Sequence, residues 1–229
     1  MKLAALFSGG KDSTYAIFLA KKLGHSVDVL LTLYPYSDES HLLHYPNIRF
    51  TSLQSESMKI PQLIEKTTSN NSENEYEKLN NLITLAKENY SIEGIVHGGI
   101  LSEYQKDNFS LVCEKNNLEI ISPLWNKEPK SYMKELLDEN FEYIISTVTS
   151  DGLNDSWLGR IIDQTDLDEL KKLQKKFSFN LNFEGGEAET FVLNCPLFEK
   201  PLLIQDSNIK WDGYRGRFEI LEAKLKDNA

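Results

Sequence analysis

Leu3-Ala4-Ala5-Leu6-Phe7-Ser8-Gly9-Gly10-Lys11-Asp12-Ser13-Thr14 is an apolar run that stops at a polar, glycine-rich loop. Leu3 to Phe7 have the pattern of a central parallel strand covered on both faces. Thr14 to Leu23 then follow helical spacing, with Tyr15, Ile17, Phe18 and Leu19 as the apolar set. The loop therefore joins a buried strand to a helix. Gly9 and Gly10 permit a sharp turn and a close approach to a ligand, while the N–H groups from Lys11 to Thr14 point outward at the positive end of the helix dipole. That combination favours an anion. Lys11 adds a full positive charge, and the hydroxyls of Ser8 and Ser13 can donate to phosphate oxygens or sit on a metal. Asp12 would repel a bare phosphate, so it suits a helix cap or a magnesium contact. The simpler alternative is an ordinary strand-to-helix turn with a polar cap. A Walker A loop is excluded, because its earlier glycine is missing and Asp12 follows the lysine.

A chain of 229 residues can bury a sizeable core as one large domain or two small ones. Hydrophobic residues at 40% and charged residues at 26% fit a soluble globular protein. No apolar run approaches the ~20 residues needed to span a bilayer, and the motif begins too early for a secretory leader, so neither a membrane partner nor a cleaved signal is expected. Cys113 and Cys195 lie far apart and form no C-x-x-C pair. They argue against a zinc site or disulfide framework and for a reducing cytoplasm, with each thiol a small buried filler. Against 35 acidic residues stand 25 Lys and Arg, giving −10. Nucleic-acid binding draws on phosphate neutralisation, so an acidic chain is a poor default binder of RNA.

Along the chain, Val27 to Leu33 read as a second buried strand, followed by turn chemistry at Tyr34 to Asp38. Gln54 to Ile64 look helical in part, interrupted by Pro61. Thr67 to Asn74 are polar and read as a solvated loop, with a lid over a nucleotide as the alternative. Ser72-x-x-Glu75 offers a capping box for a helix to about Asn89. Ile92 to His97 make a strand ending in Gly98-Gly99, a helix is expected from Ser102 to Asn116, and a short strand from Glu119 to Ser122. This alternation implies a parallel sheet with ligands beyond the carboxyl ends of its strands, where the loops holding Ser8, Thr32 and Gly98 would lie. After Pro123 the expected pattern is a helix at Ser131 to Asn140, a strand at Tyr143 to Val148, a helix at Leu167 to Phe177 and short extended segments. The expected division falls near Leu124, with residues 1–124 as the parallel-sheet domain and 125–229 as a smaller α+β domain.

Asn182-Phe183-Glu184-Gly185-Gly186-Glu187-Ala188-Glu189-Thr190 packs three carboxylates around two glycines before an apolar strand at Phe191 to Leu193. Crowded carboxylates repel one another and seek a cation, an amine or N–H donors. An exposed acidic turn is the plain alternative.

The order S-G-G-K-D-S after the first strand resembles the PP-loop ATP pyrophosphatases. With E-G-G-E-x-E-T-F-V-L-N-C-P-L-F it resembles the diphthine-ammonia ligase family. Further similar stretches are Ile100 to Gln105, Pro123-Leu124-Trp125, and Gly152 to Arg160, so the likeness spans nearly the whole chain. It implies an α/β, HUP-like (adenine nucleotide alpha hydrolase-like) parallel sheet with helices on both faces, plus a smaller C-terminal α+β domain. It implies that Ser8, Gly9, Gly10, Lys11, Asp12 and Ser13 bind the phosphates of ATP, with Gly98 and Gly99 at the strand edge beside the nucleotide, the edge where the strand order also puts Thr32. Ser102, Tyr104, Gln105 and His44 would face nucleotide or acceptor, although His44 reads equally well as a structural histidine. Gly185, Gly186 and Thr190 would line the acceptor pocket, shaped by Asp155, Trp157 and Arg160. Lys11, Asp12, Glu184 and Glu187 become the candidate catalytic groups, and Asp12 the candidate Mg2+ contact. The implied reaction is amidation of diphthine on elongation factor 2 with ATP, Mg2+ and ammonium, through an acyl-adenylate. One departure is Lys106-Asp107-Asn108, where the family pattern is basic; it bears on acceptor choice. A tRNA-modifying PP-loop enzyme and a nucleotide-binding module without turnover remain rival readings, and a homodimer remains open.

Overall fold

The computed structural model describes residues 1–36, 47–69, 71–100 and 112–227, with the side chain of Ser72 set aside. The chain divides into two compact units: Met1–Ser8 with Asp12–Trp125, and Gly9–Lys11 with Asn126–Ala229.

The first unit is built on a five-stranded sheet in the order β3-β2-β1-β4-β5. Its strands are β1 (Lys2–Leu6), β2 (Ser26–Tyr34), β3 (Gln62–Lys66), β4 (Gly94–Val96) and β5 (Glu119–Ile121). Every described pairing is parallel, and helices α1 (Lys11–Lys22), α2 (Thr51–Met58) and α3 (Ser72–Tyr90) make the crossovers. Successive strand residues point to opposite faces. Ala4, Val29, Leu31 and Ile95 pack under Leu79, Leu82, Ile83 and Ala86 of α3 together with Val112 and Cys113. Leu3, Ala5, Leu30 and Val96, equally buried, face the other way. Right-handed crossovers account for this: the path from β1 through α1 to β2 runs in one direction along the sheet, whereas α3 carries the chain back across to β4 and so covers the opposite face.

Two local expectations change. Residues 54–64 are not one interrupted helix: α2 stops at Lys59, whose φ of 53° closes it, and Gln62–Lys66 form β3. Pro61 cannot continue a helix, and pairing with β2 from Leu30↔Gln62 to Tyr34↔Lys66 settles the state of the segment that follows. The cap of α3 is Asn71, which accepts from Glu73 N–H at 2.9 Å, one residue before the expected Ser72. Helix α1 begins at Lys11, the first of the residues expected to open it. Its opening turn carries Asp12 and its last turn Lys21 and Lys22, the charge order that suits the helix dipole. Of the expected helix from Ser102 to Asn116, residues 112–115 are described and helical.

The second unit holds an antiparallel sheet in the order β7-β6-β9-β8. Its strands are β6 (Glu142–Val148), β7 (Ala188–Asn194), β8 (Leu202–Trp211) and β9 (Gly216–Leu225), accompanied by α4 (Pro129–Asp138) and α5 (Gln164–Phe177). Glu128 caps α4 by accepting from Ser131 N–H, and Asp163 and Asp166 cap α5 reciprocally. No described helix is long and apolar enough to cross a membrane.

Candidate active site

In the first unit, the strand order reverses between β1 and β4, the switch point at which open parallel sheets bind ligands. Ser8 and Ser13 stand there beside the turn that follows β4. Ser8 N–H donates to Ser13 Oγ at 3.3 Å, and the two hydroxyls lie 3.2 Å apart. Gly98 approaches so closely that a Cβ on it would stand 2.5 Å from the Asp12 carbonyl carbon and 2.6 Å from Ser13 N. Only glycine lets the end of β4 meet the start of α1, and the opening N–H groups of that helix are the natural anion donors of the crevice.

His97 supports this turn from below. It is buried, its Nδ1 accepts from Gly99 N–H at 3.0 Å, and its Nε2 lies 2.6 Å from Ser122 Oγ. Those contacts put the proton of the neutral ring on Nε2, facing Ser122. In the sequence His97 reads as the end of a strand, and its place before Gly98-Gly99 is the available signal.

Thr32 is a correction to the expected loop placement. It lies inside β2, fully buried, with its hydroxyl donating to Phe7 O at 2.8 Å and accepting from Gln62 Nε2 at 2.7 Å. A strand that runs to Tyr34 draws this hydroxyl into the sheet's own hydrogen bonding.

Gly9–Lys11 pack with the second unit. Gly9 has a φ of 80°, a conformation that other L-residues rarely adopt, and its carbonyl accepts from Val192 N–H of β7 at 2.9 Å. Lys11 N–H donates to Thr190 Oγ1 at 3.1 Å. Thr190, expected in the acceptor pocket, thus holds the first helical N–H. The Lys11 side chain, expected among the phosphate-binding groups, is 1% exposed. Its ammonium donates to Asn182 O at 2.8 Å and lies 5.6 Å from the ring centres of both Tyr132 and Phe183. Lysine is almost never fully buried without partners, and a carbonyl with two aromatic faces is such a set.

The acidic stretch closes on itself through Asn180. Glu187 Oε1 accepts from Asn180 N–H at 2.7 Å and from its Nδ2 at 2.8 Å. Phe183 N–H donates to Asn180 O, Gly186 N–H to Phe183 O, and Thr149 N–H to Glu187 O. A Cβ on Gly185 would stand 2.7 Å from Glu187 Oε1 and displace that carboxylate from Asn180, and Gly186 has a φ of 79°, which favours glycine. Glu184 is half-buried, while Gly185 and Gly186 are exposed. The plain reading of an exposed acidic turn therefore holds for the glycines and not for Glu187. Asn182 and Phe183 open the acidic stretch without a role that the sequence assigns; Asn180, two residues earlier, has only that closeness as a signal, and Tyr132 looks like any apolar helix position.

Asp155 is exposed at the start of a short 3-10 helix, Trp157 is buried, and the Arg160 guanidinium lies 4.8 Å from the Trp157 ring. Arg160 also pairs with Asp166, the buried carboxylate that caps α5. The contacts described for Trp157 and Arg160 serve the fold around α5. His44, Ser102, Tyr104 and Gln105, and the Lys106-Asp107-Asn108 departure, lie outside the described residues.

The sequence profile described as Diphthamide synthase N-terminal domain matches residues 1–120, and that described as Diphthamide synthase C-terminal domain matches residues 128–225. The chain belongs to the diphthamide synthase family. It is 35% identical to a diphthine–ammonia ligase of Bos taurus and 34% identical to that of Homo sapiens, in each case over 91% of this chain and 85% of the relative. A diphthine–ammonia ligase of Schizosaccharomyces pombe is 31% identical over 91% of this chain and 37% of its own length. A solved structure described as "predicted subunit of tRNA methyltransferase" from Methanocaldococcus jannaschii is 14% identical with a TM-score of 0.36, covering 99% of this chain and 98% of that one. The diphthamide synthase relatives are ligases that form a C–N bond, and this chain is an enzyme of that class.

Among the described residues no group of three or more His, Cys, Asp or Glu could hold a metal by itself. Half-buried Asp12 is a single carboxylate at the helix start. That suits Mg2+, which commonly binds one or two carboxylates together with substrate phosphates and water.

Proposed function

We propose that this diphthamide synthase family member amidates diphthine on elongation factor 2, using ATP and ammonium and releasing AMP and pyrophosphate. The observation that carries the reading is the approach of Gly98 to the opening peptide of α1, which leaves a tight, N–H-rich crevice at the switch point beside Ser8 and Ser13. The diphthine carboxylate attacks the α-phosphorus of ATP, and the bond to the β,γ-bridged diphosphate breaks. N–H groups at the start of α1 and the two serine hydroxyls meet the negative charge that develops on the leaving pyrophosphate. Bound Mg2+, held through Asp12, would neutralise phosphate charge.

Lys11 contributes from its seat. A buried ammonium fixed on Asn182 O supplies a positive field to the glycine loop without touching solvent, and its backbone N–H is already engaged by Thr190. Ammonia then attacks the acyl carbon of the adenylate, AMP departs, and the amide remains. Glu184 and Glu187 are the acidic groups available to the incoming ammonium or to the quaternary ammonium of diphthine.

The purified chain, supplied with ATP, Mg2+, ammonium and elongation factor 2 bearing diphthine, is expected to release AMP and pyrophosphate and to convert the factor to the amide form by mass spectrometry. ATP binding without turnover under these conditions would support a nucleotide-binding module instead. Modification of tRNA would support the tRNA-directed reading.

A further inference from the structure

The β4–β5 ladder stops where the crevice of the first unit begins. Its last pair is Val96↔Ile121, and His97 N–H closes it by donating to Ile121 O at 3.1 Å. The next register position sets His97 against Ser122, and there side chains take over from backbone. Imidazole Nε2 lies 2.6 Å from Ser122 Oγ, while Nδ1 accepts from Gly99 N–H at 3.0 Å. A serine and a histidine this close can act as nucleophile and base. The tautomer excludes that role here. With Nδ1 accepting, the neutral ring carries its proton on Nε2 and donates it to Ser122, so no lone pair faces the hydroxyl proton. The ring is also 2% exposed and offers no face to a ligand.

We propose that His97, braced by Ser122, is a positioning residue for the nucleotide, a proposal that rests on the ATP-binding half of the amidation reading. Its target is Gly98. A Cβ there would stand 2.6 Å from Ser13 N and 2.7 Å from Asp12 O, so the turn after β4 is pressed on the opening peptide of α1. Glycine has no side chain with which to keep that place. The bond from Gly99 N–H to the ring keeps it, and the Ser122 hydroxyl keeps the ring. Ser122, His97, Gly98, Asp12 and Ser13 all belong to the first unit, so the brace and the crevice it shapes are one piece of structure. Engaged by the ring, Gly99 N–H is a tether and not a phosphate donor, which leaves the phosphates to the start of α1 and to the Ser8 and Ser13 hydroxyls. Geometry set in this way controls affinity for ATP, because displaced donors lose the alignment on which their hydrogen bonds depend.

The test titrates ATP with Mg2+ into the full chain by calorimetry and follows pyrophosphate release with diphthine-bearing factor and ammonium chloride. His97→Leu removes both ring contacts. It is expected to raise the ATP Kd and the ATP KM by about tenfold or more and to leave the KM for ammonium unchanged. His97→Asn keeps an acceptor near the place of Nδ1 and is expected to bring the ATP Kd back to within about threefold of wild type, whereas a merely structural role predicts no such rescue. Ser122→Ala frees the ring and is expected to raise the ATP Kd by about threefold. Because His97 acts through Gly98, the double variant His97→Leu with Gly98→Ala should lose no more affinity than Gly98→Ala alone. Wild-type ATP affinity in His97→Leu, a lowered Tm without a change in Kd, or losses that simply add in the double variant each overturn the proposal. If His97→Leu does not fold, Ser122→Ala decides, and wild-type affinity there overturns the brace. Absence of ATP binding by the wild-type protein would instead sink the nucleotide reading, and the proposal with it.

Discussion

The Lys11 ammonium donates to the backbone carbonyl of Asn182 at 2.8 Å and lies 5.6 Å from the ring centres of Tyr132 and Phe183. The lysine of the glycine loop is thus a tie within the second unit as well as a charge beside the loop. Phe183 presents its ring from a backbone with φ 64°, a conformation uncommon for a bulky residue and tolerated where the surroundings enforce it.

Replacing Lys11 by Met removes this tie while retaining most of the packed stem. The Asn182 carbonyl loses its charged donor, and stability falls by about 1–3 kcal/mol. A lower urea midpoint with an unchanged slope is the expected result, together with weaker ATP use. Wild-type stability would show that the ammonium does not sit where it is described.

Gly98→Ala places a methyl group 2.5 Å from the Asp12 carbonyl carbon. Backbone cannot yield as a flexible side chain can, so the loop and helix start must separate at a cost of about 1–3 kcal/mol. ATP affinity measured by calorimetry should fall about tenfold or more, since each ~1.4 kcal/mol lost from the binding geometry is a factor of ten. Undisturbed affinity would remove Gly98 from the nucleotide crevice.

Arg160→Ala strips the partner from Asp166, whose side chain is 5% exposed. A fully buried pair broken this way costs about 3–5 kcal/mol, but the Arg160 side chain is 38% exposed and solvent screens it, so about 1–2 kcal/mol is expected. The loss should appear in Tm, with the ammonium KM unaltered. A kinetic effect at wild-type stability would assign Arg160 to the acceptor instead.

Burial pushes the Cys113 thiol up to about 11 and the Cys195 thiol up to about 12, from an ordinary 9.0. Both should resist thiol reagents at pH 8 until the protein unfolds. Above about pH 9 the unfolded thiols lose protons that the folded ones keep, so this contribution to stability is present below pH 9 and shrinks as pH rises toward 11 or 12. A urea midpoint that climbs over this range would contradict the assignment.

How much of this was legible beforehand differs from residue to residue. The strand–glycine–helix order around Ser8 to Ser13 was readable because hydrophobic run length and glycine placement are local properties. The alternation up to β5 was readable for the same reason, as were the glycines of the acidic turn. Gln62–Lys66 was not, since an edge strand with mixed polarity acquires its state from pairing with β2. Thr32 shows the same limit: a hydroxyl near a strand end could face a ligand or a neighbouring strand, and only Phe7 O and Gln62 Nε2 decide it.

The amino-acid order by itself determined which segments are buried strands, where the chain turns sharply, and which residues carry charge near those turns, because these follow from periodicity and from the freedom of glycine. Tertiary structure alone decided that Lys11 is enclosed and that Glu187 has one oxygen satisfied by Asn180, while among the described residues its other oxygen and the Asn182 amide have no partner. Those outcomes depend on atoms as far as 171 residues apart in the chain meeting at hydrogen-bond distance, and no local rule specifies such partners.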